Sequence, residues 1–259
     1  MYRFLLRPKW LLFHFLVLAG VVVMVNLAFW QLRRLDERKD FNAHVSANID
    51  AAPVGLADLV AIDAEPGDPA LFDAEWRPVT ASGEYLVDEQ FVVVNRSQNG
   101  IAGLIVVTPL RLADDRILLV ERGFVPLSEE DAIASLPPPE GEVEVLGRLR
   151  RSQQRESVGL ADPGEGDLAQ VQRIDIPRLS AQLPGDPVPM YVELIASDPQ
   201  ERAALPDPLH EPTLSEGSHL SYTVQWFIFS LCAVVGWVFA VRRSIATRRA
   251  EEITPPDAT

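Results

Sequence analysis

The sequence predicts an α+β membrane protein: two antiparallel transmembrane helices flanking one extracytoplasmic antiparallel β domain, a curled meander or barrel-like sheet. Two observations carry that expectation. Apolar runs stand near both ends of the chain, at 10–30 and 222–241. Each is about 20 residues, which at 1.5 Å per residue spans a hydrocarbon core of roughly 30 Å. Between them, short segments rich in Val, Ile and Leu alternate with turn residues, as successive strands on short connections do. The expected division is a cytoplasmic N-terminus at 1–9, a first span at 10–32, a β-rich domain at 33–217, a second span at 218–241 and a cytoplasmic tail at 242–259.

The first run is too long for a signal-peptide core and no small-x-small site follows it, so an uncleaved anchor is expected. Orientation follows the Lys and Arg of the short flanks. Arg242, Arg243, Arg248 and Arg249 follow the second run, and Arg3, Arg7 and Lys9 precede the first. Both place the termini in the cytoplasm and the domain outside. The cluster Arg33, Arg34, Arg38 and Lys39 just beyond the first run opposes this. Residues 41–221 hold 12 arginines and no lysine against 31 acidic residues, a formal charge of −19. A surface this acidic repels nucleic acid. The single cysteine, Cys232, lies inside the second run, which rules out an intrachain disulfide and thiol-based metal transfer.

Along the intervening segment, 41–75 reads as a helix-and-loop lead-in, with a short helix near 53–60 and turns at 65–69. Strands are expected at 76–86, 91–97, 101–112, 116–122 and 142–150. Asn99-Gly100 between two apolar runs predicts a tight hairpin. A polar, Gly-rich loop at 153–166 precedes a strand at 170–174, a short helix near 177–183 and a last strand at 190–196. The Pro-rich stretch 205–211 leads back to the membrane. Short connections favour antiparallel neighbours, closed or curled so that few edges remain.

Polar side chains at span ends are costly and therefore informative. Trp30, Gln31, Arg33 and Arg34 stand at the exit of the first run, and His219, Tyr222, Gln225 and Trp226 at the entry of the second. An antiparallel pair puts the two sets at one depth. His219, Tyr222 and Trp226 are spaced i, i+3, i+7, one helical face. A neutral imidazole there can ligate iron, aromatic side chains can wall a planar macrocycle, and Arg34 can pair with its propionates. The plain alternative is an interfacial aromatic belt with snorkelling arginines. His14 lies 17 residues before Gln31, about 25 Å along the axis, too far to share a site with His219. Either a hydrogen bond to the partner helix or a ligand role suits it. His44 and His210 read as loop residues. No hydrolytic, phosphate-binding or Cys-x-x-Cys-His motif is present.

Leu27-Ala-Phe-Trp-Gln-Leu-Arg-Arg34 resembles the exit signature of the first span in the surfeit locus protein 1 family of cytochrome c oxidase assembly factors. Gly83-Glu-Tyr85, Gly103-Leu-Ile-Val-Val-Thr-Pro109, Val120-Glu-Arg-Gly-Phe-Val-Pro126 and His219-Leu-Ser-Tyr-Thr-Val-Gln-Trp-Phe227 are similar to that family's later blocks, in the same order. The structural reading of the soluble blocks is that Gly83, Gly103 and Gly123 occupy tight backbone positions, Pro109 and Pro126 end strands, and Arg122 bridges loops. The resemblance implies a role in assembling the haem-copper oxidase, near delivery of haem a to its catalytic subunit. His219 is then the haem-iron ligand, with Trp30, Gln31, Arg34, Tyr222, Gln225 and Trp226 around the cofactor. It also implies the oxidase catalytic subunit and other assembly factors as partners, and a bacterial plasma membrane as location. Ala28, Phe124 and Gly217-Ser218 depart from the family pattern without removing a candidate ligand. The rival expectations are a scaffold that docks oxidase subunits without cofactor, and an envelope enzyme, which the missing motifs disfavour.

Overall fold

The computed structural model describes residues 2–154, 160–201 and 203–253, with side chains described to residue 250. Part of the expected loop at 153–166 and of the tail at 242–259 lies outside the described residues. The chain forms two compact units, one built from residues up to Ala43 together with Leu214 onward, the other from His44–Thr213.

The first unit is a helix pair. Helix α1 covers Pro8–Asn48 and helix α5 covers His219–Ile253. Both contain windows apolar enough to cross a membrane, with mean hydropathy 2.4 and 2.1, yet only 6% of either window is buried inside the fold. Side chains this apolar and this exposed are consistent with a two-pass membrane protein. α1 does not stop at residue 32. It continues to Asn48, because Leu32–Asn48 contains neither Gly nor Pro to break the helix. His44 therefore lies on a helix rather than in a loop, with its ring stacked on Phe72 at 4.4 Å.

Within residues 219–237 of α5, the buried or half-buried positions are 219, 223, 226, 230, 233 and 237. They are alternately four and three apart, the seam of two helices packed lengthwise. Contacts run in antiparallel register: His219 meets Gln31, Phe227 meets Phe29 edge-on at 5.9 Å, and Trp237 meets His14. Ala28 is fully buried and lets the backbones approach. Thr223 and Ser230 also lie in the seam. Their hydroxyls donate to the carbonyls of His219 and Trp226, so neither is stranded.

The second unit is the β domain. Its strands are β1 (Val54–Gly55), β2 (Pro78–Tyr85), β3 (Phe91–Gln98), β4 (Ile101–Leu112), β5 (Ile117–Pro126), β6 (Glu142–Arg151), β7 (Gln170–Val171) and β8 (Pro187–Asp198). Short helices α2 (Leu56–Leu59), α3 (Pro69–Ala74) and α4 (Ile176–Leu179) accompany them. The sheet order is β1-β2-β6-β8-β5-β4-β3-β7, and an extra β2–β4 pairing closes β2, β6, β8, β5 and β4 into a five-stranded barrel. The predicted α+β fold is thus the one observed, in its barrel-like form. Strand directions cannot alternate all the way round a ring of five, so one pair must be parallel. That pair is β5–β8. β1–β2 and β3–β7 are parallel as well, through two-residue strands outside the ring.

Local chemistry fits this topology. Asn99 and Gly100 both have positive φ, 54° and 77°, in a two-residue turn between the paired Gln98 and Ile101. Pro109 does not end a strand; it sits inside β4. There β4 exchanges one neighbour for another, pairing with β3 as far as Val107 and with β2 from Leu110. No ladder hydrogen bond is needed at the changeover, so the missing N–H is harmless. Gly83 lies on the closing seam, where a Cβ would run into the Arg111 carbonyl. Gly123, at φ 150°, lies against the Asp207 carbonyl.

β5 is buried on both faces. Leu118 and Val120 pack with Val145, Met190 and Val192 in one core cluster. Leu119 faces the other way, towards Phe91, Ile174, Ile176 and Tyr191. Each such side chain contributes roughly 1.5–3 kcal/mol on burial. Arg122 bridges segments as its position suggests. Its side chain is fully buried, bonds Glu201 through two nitrogens at 2.7 and 2.8 Å, and also donates to Gln90 and the Leu136 carbonyl.

Candidate functional site at the end of the helix pair

The first turn of α5 carries His219, half-buried in the seam. Gly217 precedes it with φ 69°, a left-handed conformation that suits glycine and turns the chain into the helix. The imidazole Nδ1 lies 2.8 Å from Gln31 Oε1 on α1. An amide oxygen only accepts, so Nδ1 carries the proton and donates. Nε2 is then left with the ring's lone pair. A Cβ at position 217 would stand 3.6 Å from Nε2. Glycine there leaves that nitrogen more room than any other residue would.

The remaining candidates divide by exposure. Trp226 is half-buried in the seam one helical repeat along from His219. Tyr222 and Trp30 are 48% and 47% exposed and face out from the pair, as Gln225 does. Arg34 is exposed and paired with Glu37 at 2.7 Å. The i, i+3, i+7 set is therefore split: His219 and Trp226 enter the seam and Tyr222 flanks it. The structure joins His219 to Gln31 directly and leaves the other aromatics as an outward-facing rim.

His14, at the far end of the same seam, has the opposite arrangement. Trp237 Nε1 donates to its Nδ1 at 2.8 Å, so its lone pair is taken and Nε2 bears the proton. Gln31, the partner of His219, lies 17 residues from His14 along α1, about 25 Å, so the two histidines stand near opposite ends of the seam. Of the two, only His219 has a nitrogen free to ligate a metal. Gly217 was missed as a contributor from sequence, since its role depends on which imidazole nitrogen the fold leaves open.

A family model described as the SURF1 family matches residues 18–231, from inside the first apolar helix to inside the second. The chain belongs to the SURF1 family. A SURF1-like protein of Mycobacterium tuberculosis is 32% identical, over 98% of this chain and 92% of its own length. SURF1-like proteins of Monosiga brevicollis and Rickettsia felis are 27% and 23% identical over 94% and 89% of this chain. The SURF1 family is linked to oxidase assembly. The match takes in part of each helix of the pair and the whole barrel, so Gln31 and His219 both lie within the family's shared extent.

The donor set is compatible with a haem. It offers one imidazole whose Nδ1 is engaged by an adjacent side chain, with Nε2 left to face a metal. It also offers flanking aromatic surface at one end of an apolar helix pair.

Proposed function

We propose that the protein is an assembly factor for haem-copper cytochrome c oxidase that holds haem a transiently and assists its insertion into the catalytic subunit. The observation that carries this reading is the Gln31–His219 hydrogen bond, which engages Nδ1 and leaves Nε2 as the ring nitrogen available to a ligand. His219 would hold the iron, and Gln31 would orient the ring. Tyr222, Trp226 and Trp30 offer aromatic surface to the macrocycle, and Gln225 is a further polar contact beside them. Arg34 would meet a propionate. Its present exposed i, i+3 pair with Glu37 is worth only about 0.3–0.5 kcal/mol, so little opposes the exchange. Haem a, when bound, would supply the redox-active iron that the oxidase requires, and this chain would contribute one imidazole nitrogen, from His219, to hold it. A single ligand suits a carrier, which must give up its cargo.

The same reading places the protein in a bacterial plasma membrane as a two-pass carrier, with the acidic β domain outside. Two of the four cations that oppose this orientation have partners within the fold: Arg34 with Glu37, and Arg38 with the Ser215 carbonyl at 2.9 Å. The domain would dock on oxidase subunits and fellow assembly factors. The test is purification from a strain that makes haem a, with a visible spectrum of the wild type and of His219→Ala. The wild type should carry a haem spectrum that the variant lacks. An unchanged spectrum would remove the ligand assignment. If the variant also assembled the oxidase normally, the protein would be a scaffold without cargo.

A further inference from the structure

A second place in the molecule has the features of a binding site, in the β domain and independent of the histidine on α5. A cavity of about 480 Å³ opens beside the outer face of β5 and β8. This is within the usual size range of small-molecule sites. Glu121 on β5 lines it, 4% exposed, and its carboxyl has no hydrogen-bond partner among the described residues. A carboxyl taken this far from bulk water is costly to keep, so its place at the cavity needs a reason.

The neighbours define what would satisfy it. Tyr191 on β8 accepts a hydrogen bond from Gln153 Nε2 at 2.6 Å, which leaves its own O–H proton to donate. Arg96 on β3 gives one nitrogen to the Gln172 carbonyl, makes no ion pair among the described residues, and its charge acts on Glu121. The other charges are matched: Arg150 pairs with Glu193, Arg151 with Glu75, and Arg148 with Glu211. Arg150 also stacks on the Trp76 ring at 3.7 Å, which fixes the wall. His210, from the segment after β8, completes the lining.

Burial, and secondarily the Glu193 carboxylate, push the Glu121 carboxyl up to about 8, so at neutral pH it is mostly protonated and a donor. In that state the cavity presents donors from Glu121, Tyr191 and Arg96, and one positive charge in excess. A single negative charge with two acceptor oxygens fits both counts. A phosphate dianion exceeds the charge, and a cation is opposed by the excess positive charge of Arg96.

We infer that this cavity binds a small organic carboxylate, held between Arg96 and the Glu121 and Tyr191 side chains. The probe is propionate, with propionamide as the uncharged control, added to the full-length protein in detergent and followed by saturation-transfer NMR. Propionate should bind at pH 6.5 and propionamide should not. Binding should fall at least tenfold at pH 9, where ionised Glu121 repels the ligand. Glu121→Gln keeps a neutral donor and should still bind at pH 9, whereas Arg96→Gln should not bind at either pH. If the Glu121→Gln substitution disturbs near-UV circular dichroism, the pH dependence of the wild type alone decides. Equal signals from propionate and propionamide, or no propionate signal at pH 6.5, would overturn the inference.

Discussion

The Gln31 amide oxygen lies 2.8 Å from His219 Nδ1, and this bond decides which imidazole nitrogen keeps its lone pair. Outer-shell partners of this kind orient a ligand and raise its basicity. Gln31→Leu should therefore lower haem occupancy about 10- to 100-fold while leaving the helices intact. Gln31→Glu, which keeps an acceptor, should retain it. The ratio of haem absorbance to protein in co-purified samples measures both, and equal occupancy in the leucine variant would show that the tautomer is set elsewhere.

The His14–Trp237 bond should behave differently. Its imidazole has no free lone pair, so Trp237→Phe or His14→Ala should leave any haem spectrum unchanged. The expected loss is one interhelical hydrogen bond, about 0.6 kcal/mol in a bilayer. Thermal unfolding in detergent and the visible spectrum, taken together, separate this outcome from a second haem site.

Arg122 ties β5 to Glu201, Gln90 and the Leu136 carbonyl at once. Removing it would leave Glu201, whose side chain is 19% exposed, beside an empty buried site, and would free Gln90 and the Leu136 carbonyl. Breaking one side of a buried pair costs about 3–5 kcal/mol. Arg122→Ala should therefore lower the urea midpoint of the β domain sharply, and Arg122→Lys should recover only part of it, since a lysine cannot reproduce the two-nitrogen contact. A midpoint within error of the wild type would contradict the buried bridge.

Glu121 makes stability depend on pH with a definite sign. Its carboxyl titrates at about 8 when folded and near 4.5 when unfolded. Below the unfolded value both states are protonated and no penalty exists. Between about 4.5 and 8 the folded state holds the extra proton, so stability falls as pH rises, by up to ~1.4 kcal/mol per unit. Above that range the loss is complete. Urea midpoints at pH 5, 7 and 9 should show the wild type losing ground to Glu121→Gln as pH increases. Parallel curves for the two proteins would mean that Glu121 is not desolvated.

Much of the architecture was legible because it rests on local chemistry. The apolar runs, the Asn99-Gly100 turn and the strands at 101–112 and 142–150 follow from composition and spacing that no tertiary contact overrides. Spacing also brought Gln31 and His219 to one level. What escaped was whatever depends on which segments meet. The parallel β5–β8 pair follows from closing five strands, and the place of Pro109 follows from β4 exchanging partners mid-strand. Tyr222 turned out of the seam because the steps alternate four and three, and the step that follows His219 is the one of four, to Thr223.

The sequence by itself determined that two lipid-length helices bracket an acidic β domain, because hydrophobic length and turn chemistry act locally. Only the tertiary structure decided the proton positions on His14 and His219 and the isolation of Glu121. Each depends on a hydrogen-bond partner, present or missing, that lies remote in the chain and is supplied by the fold.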